Sequence, residues 1–79
     1  MKHIEVEYFE NTYEDFLRIY DGLKNSGINI NDVAYDTGRG HFFVMDEVAL
    51  PPAEEIKNRL SSQGLTVDSV LIKSMKGTP

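Results

Sequence analysis

The 79-residue sequence contains no cysteine, which excludes disulfide cross-links and thiolate-bound metal and fits a reducing, cytoplasmic setting. It is also short of positive charge: eight Lys and Arg stand against thirteen Asp and Glu, a formal charge of -5. Such a surface repels a phosphate backbone. The basic residues Lys2, Arg18, Lys24, Arg39, Lys57, Arg59, Lys73 and Lys76 form no run that would track phosphates locally. Both features argue against nucleic acid and make a basic partner easier to accommodate. Long apolar runs are missing too. Met1 to Glu7 alternates charged and apolar residues, the pattern of neither a signal peptide nor an anchor, so a cytoplasmic protein with no membrane partner is expected. A chain of this length has room for one domain with a small core, and self-association is a natural remedy for marginal burial.

Along residues 2–9, Ile4, Val6 and Tyr8 fall on one face and His3, Glu5 and Glu7 on the other, which predicts a half-buried strand. Asn11 or Thr12, followed three residues on by Glu14 or Asp15, has the spacing of a helix cap. Tyr13, Phe16, Leu17, Tyr20 and Leu23 recur at helical spacing, and Gly27 stands where a left-handed exit residue is wanted. A helix over 12–26 follows. Residues 28–36 read as extended, but Ile28 and Ile30 are in one phase and Val33 and Tyr35 in the other, so a bulge near Asn31-Asp32 is expected. Residues 36–40 form a turn cluster, and His41-Phe42-Phe43-Val44-Met45 is the returning strand of a hairpin. Pro52 opens a second helix, striped by Ala53, Ile56 and Leu60 and closed by Gln63-Gly64. Residues 65–75 form the last strand, and a tail over 76–79 is expected to fray.

The order β-α-β-β-α-β is the split βαβ plan of an α+β, ferredoxin-like βαββαβ domain spanning residues 1–79. Right-handed crossovers put two helices on one face of a four-stranded antiparallel sheet, with the first and third strands central and the opposite face open.

Within this order, Gly22-Leu23-Lys24-Asn25-Ser26-Gly27-Ile28-Asn29-Ile30-Asn31-Asp32-Val33 resembles the helix-to-strand junction of ACT regulatory domains, and residues 54–67 resemble their second helix and last strand. The resemblance implies a stand-alone homodimeric regulatory module. It also implies a small effector, often an amino acid, bound where the first strand-to-helix loop meets the junction. Carried residue by residue, it points to Gly27 and Asn29, with Asn11 and Thr12 in the facing loop. Asn31 joins them because amides both donate to and accept from a zwitterion; turn hydrogen bonds are the plainer role of such asparagines. One departure bears on the ligand. ACT domains often carry a glycine at the first helix start, whereas this chain reads Glu10-Asn11-Thr12-Tyr13-Glu14, and those carboxylates disfavour an anion there.

Three further groupings carry possible chemistry. If His41 faces the same way as His3, Glu5 and Glu7, a His/Glu cluster there is able to bind a divalent metal or move protons; a solvated strand face is the plainer reading, and neither a metal, a cofactor nor a catalytic residue is assigned. If Phe42 and Val44 point to the helices, Phe43 and Met45 share the His41 face, and with Glu5 and Glu7 they form an interface for a second copy or a partner protein. Gly38-Arg39-Gly40 is a hairpin turn, too short for a phosphate loop. The expectation is a non-enzymatic regulatory or binding module. The alternative is an acidic inhibitor or adaptor, of the kind phages encode, acting through the open sheet face.

Overall fold

The computed structural model describes residues 2–8, 12–36, 38–44 and 49–74. Asn11, Met45 and the tail 76–79 lie outside the described residues. The elements run β1 (Lys2–Glu7), α1 (Tyr13–Asn25), β2 (Asp32–Asp36), β3 (Arg39–Val44), α2 (Ala53–Ser62) and β4 (Ser69–Ser74). The sheet is antiparallel in the order β2-β3-β1-β4. This is the α+β, ferredoxin-like arrangement expected, with β1 and β3 central.

The start of α1 and the ends of both helices are set by local signals. Thr12 is the N-cap of α1: its hydroxyl accepts from the Asp15 N–H at 3.2 Å and donates to the Asp15 carboxylate at 2.8 Å. At the far end the Gly27 N–H donates to the Lys24 carbonyl and the Ile28 N–H to the Leu23 carbonyl. That pairing requires a left-handed residue, and Gly27 supplies it at φ 86°. The exit from α2 repeats the motif, with Gly64 at φ 83° and bonds from Gly64 to Ser61 and from Leu65 to Leu60.

The core lies between the helices and one face of the sheet. On β1 the side chains of Ile4 and Val6 are fully buried, and on β3 so are Phe42 and Val44. α1 packs over β3 and α2 over β4. The α1 side is aromatic: Phe42 stacks on Phe16 at 5.4 Å and 15° and on Tyr20 at 6.3 Å and 12°. Gly40 makes room for these rings, because a Cβ there would sit 2.8 Å from the Phe42 ring and 3.1 Å from Phe16. The α2 side is aliphatic, built from Ile56, Leu60, Val67 and Val70.

Three details differ from the sequence expectation. First, α1 buries Phe16, Ile19, Gly22 and Leu23, whereas Tyr13 and Leu17 are exposed. The apolar residues span so much of the helix circumference that their spacing alone selects no single face. Contact with α2 selects one, through Gly22, where a Cβ would meet Leu65 and Leu60 at 2.7 and 2.9 Å. Second, residues 28–30 lie outside the strand, and β2 starts at Asp32 without a bulge. The change of phase is absorbed in that loop, which the Asn31 N–H ties to the Phe43 carbonyl at 2.7 Å. Third, β4 begins at Ser69, not at residue 65. Among the described residues, no helix is long and apolar enough to cross a membrane.

Candidate functional site

The face of the sheet away from the helices is where the polar side chains of the central strands converge. Alternation along β1 aims His3, Glu5 and Glu7 there, and burial of Phe42 and Val44 aims Arg39, His41 and Phe43 to the same side. Register completes the arrangement: Glu5 lies opposite His41 on β3 and Leu71 on β4, while His3 lies opposite Phe43 and Lys73.

Glu5 occupies the middle of this surface. Its residue is only 7% exposed, which corrects the expectation of a solvated face at this position. Polar neighbours, not a helix, cover it. One carboxylate oxygen lies 3.7 Å from Arg39 Nε; the other lies 3.4 Å from Lys73 Nζ and 3.7 Å from His41 Nδ1. Arg39 also pairs with Glu7 at 3.2 Å. A carboxylate removed from water needs such partners, and these come from β3 and β4, the strands flanking its own.

The two histidines meet. His3 Nε2 and His41 Nδ1 share a hydrogen bond of 2.8 Å, in which one ring nitrogen donates and the other accepts. His3 also stacks on Phe43 at 4.9 Å and 21°. Burial, and then the neighbouring His41, hold the His3 pKa below its ordinary 6.5; Glu5 pulls it up and Lys73 adds to the lowering. A neutral imidazole of this kind keeps a lone pair for a proton or a metal. The donor atoms of His3, Glu5 and His41 all lie within 4.8 Å of one another.

The residues expected to hold an effector are not gathered in this way. Thr12 caps the start of α1, and Gly27, Asn29 and Asn31 follow its end, so the 13-residue helix separates the two groups by about 20 Å. Gly27 and Asn29 border an open hollow shared with Lys24 and Ile28. Glu7 and Phe43 sit on the open face, partly exposed, around Glu5. Arg39 and Lys73, which complete the Glu5 cluster, were missed as site residues, because only the strand register brings them to it.

A second polar feature lies on the helix side. A cleft of about 170 Å³ is bordered by Tyr8, Asp15, Arg18, Gly64, Leu65 and Thr66. The Tyr8 hydroxyl is buried and has no hydrogen-bond partner among the described residues. Burial, then Tyr35 and Asp15, push its pKa up to about 12.

Compared with protein-family models, with curated proteins and with solved structures, the chain matches none.

Proposed function

We propose that this chain is a small binding module, regulatory and not catalytic, that works through the open face of its sheet and pairs there with a second copy of itself. The observation that carries this reading is the organised centre of that face, where Glu5 is buried among side chains of the two flanking strands although no helix covers it. Around this centre stand Phe43, partly buried, and Leu71, 46% exposed.

Charge on the face favours a second copy. Asp32, Ala34 and Asp36 of β2 share it with Arg39, His41 and Phe43, so one edge is acidic, whereas β4 places Lys73 and Leu71 at the other edge. A two-fold axis parallel to the strands lays β2 of one copy over β4 of the other, and acidic edge meets basic edge twice. Charged residues on both outer strands also discourage edge-to-edge pairing.

The amino-acid effector implied by the ACT resemblance needs a different assembly. Thr12 and Asn29 lie at opposite ends of α1, on the helix side, and a face-to-face pair leaves the helices outermost. An effector site would have to be completed by copies joined at their edges or helices.

Light scattering coupled to size exclusion tests the proposal. The wild type is expected to be a dimer, and Phe43→Glu and Leu71→Glu are expected to give folded monomers by circular dichroism. A monomeric wild type would remove the second copy. It would leave the acidic adaptor, for which the net charge of -5 speaks; capture of one partner that weakens with salt and is lost in Asp32→Lys/Asp36→Lys would then identify its surface.

A further inference from the structure

We infer that His3, Glu5 and His41 form a binding site for one divalent first-row transition metal ion, of which Zn2+ is the representative, at the centre of the open sheet face. The three donors are held by the sheet itself. His3 and Glu5 are two apart on β1, so they share a face, and His41 is directly across from Glu5 on β3. Central strands fix these positions more tightly than loops do.

The distances suit a small ion. With metal–ligand bonds of about 2.0–2.2 Å, tetrahedral coordination places donor atoms about 3.3 Å apart. Here His3 Nε2 and His41 Nδ1 are 2.8 Å apart, His41 Nδ1 and Glu5 Oε2 are 3.7 Å apart, and all three donors fall within 4.8 Å. The imidazoles must part by about half an ångström, and the Glu5 carboxylate, up to 4.8 Å from the His3 nitrogen, must swing towards it by about 1.5 Å through rotation of its side chain. Two imidazole nitrogens and one carboxylate oxygen select a borderline ion such as Zn2+ or Co2+ over Ca2+ or Mg2+, which call for six or more oxygens or retained water.

The hydrogen between the rings does not block the site. For both facing nitrogens to coordinate, that hydrogen moves by exchange with water to the far nitrogen of its own ring. His3 then carries its N–H on Nδ1 and His41 on Nε2, and neutral imidazoles release no net proton. Stacking on Phe43 keeps the His3 ring in place. Three protein donors leave a further coordination position directed away from the sheet, open to water or to a donor from whatever docks on the face.

Lys73 and Arg39 oppose the ion. Arg39 keeps its second partner, Glu7, at 3.2 Å. Lys73, whose side chain is 56% exposed, is free to swing into water when the metal takes its place beside Glu5. Removing its charge therefore strengthens binding, the opposite of what a simple salt-bridge cluster would show.

The inference does not rest on self-association, because the test counts metal per chain at protein concentrations above and below any dimer dissociation. The probes are Zn2+, followed by competition with a chromophoric chelator, and Co2+, followed by its visible absorption. The expected result is one ion per chain with the strong absorption of a four-coordinate site. His41→Gln and Glu5→Gln, checked for folding, should each weaken binding by at least about 100-fold, the upper end of what losing a mere outer partner costs. These two variants also separate the site from any chelate that His3 makes with the backbone before it. Lys73→Met should tighten binding. Absence of saturable one-to-one binding, or binding that His41→Gln and Glu5→Gln leave intact, overturns the inference.

Discussion

The two faces of β1 solve the problem of burial with different chemistry. Towards the helices, Ile4 and Val6 are fully buried among apolar side chains from α1, α2 and the neighbouring strands. On the other face Glu5, between them in sequence, is nearly as well buried, yet its neighbours are Arg39, His41 and Lys73. Apolar burial is non-directional and rewards the exclusion of water. Burial of a carboxylate is costly, and directed partners must offset it. The covered face accordingly holds the chain together, and the open face keeps a set of donors and charges in fixed positions at little gain in stability. Such a division of labour is what a binding surface mounted on a small scaffold requires.

Substitutions can break this contrast in order of size. Phe42→Ala strikes the covered face hardest, since Phe42 is fully buried and stacks on Phe16 and Tyr20. It should cost about 3–5 kcal/mol in chemical denaturation, enough to unfold much of a marginal domain. Gly40→Ala should follow at about 1–3 kcal/mol by overpacking, because its Cβ would meet the Phe42 ring, held in that stack, at 2.8 Å. Glu5→Leu is the counterpart on the open face. Removing one partner of a buried ion pair is costly when the other is left buried and unpaired, but Arg39 and Lys73 are exposed enough to be solvated once released. Stability within about 1 kcal/mol of wild type is expected. A loss as large as that of Phe42→Ala would mean that the open face, too, is structural.

The covered face was far more legible in the sequence than the open one, for a physical reason. Element order and helix limits are written in local signals: Thr12 three residues before Asp15, Gly27 and Gly64 at the exits, alternation in 2–8. The buried side of α1 was not, because Tyr13, Phe16, Leu17, Ile19, Tyr20 and Leu23 leave several faces apolar, and only the close approach of α2 at Gly22 favours Ile19 over Leu17. The phase of residues 28–36 was likewise settled by a loop, not by a bulge. On the open face, alternation placed His3 and Glu5 together. Their meeting with His41, Arg39 and Lys73 depends on the register of β3 and β4, which non-local pairing sets and periodicity does not encode. Thr12 and Asn29 flank a helix that the local signals already delimit, and a single chain therefore holds them apart at its two ends.

The smallest effect at neutral pH, and a sharper probe of the covered face, belongs to Tyr8. Its hydroxyl is the polar flaw in that apolar layer: buried, without a hydrogen-bond partner among the described residues, and with its pKa pushed up to about 12 from an ordinary 10.0. Near neutrality the folded and unfolded states both keep this proton, so Tyr8→Phe should leave stability unchanged or slightly raised, since it removes an unpaired polar atom. Above the ordinary tyrosine pKa the unfolded chain gives up the proton while the folded chain holds it, so the unfolded state binds fewer protons and stability falls as pH rises, levelling off near the folded pKa. The difference between wild type and Tyr8→Phe is the informative quantity, because it isolates this one hydroxyl from everything else that changes with pH. Urea midpoints compared at about pH 9 and about pH 11 should drop less in Tyr8→Phe than in wild type. Equal drops would mean that the Tyr8 hydroxyl reaches water in solution, and that this end of the covered face is as open as the surface behind it.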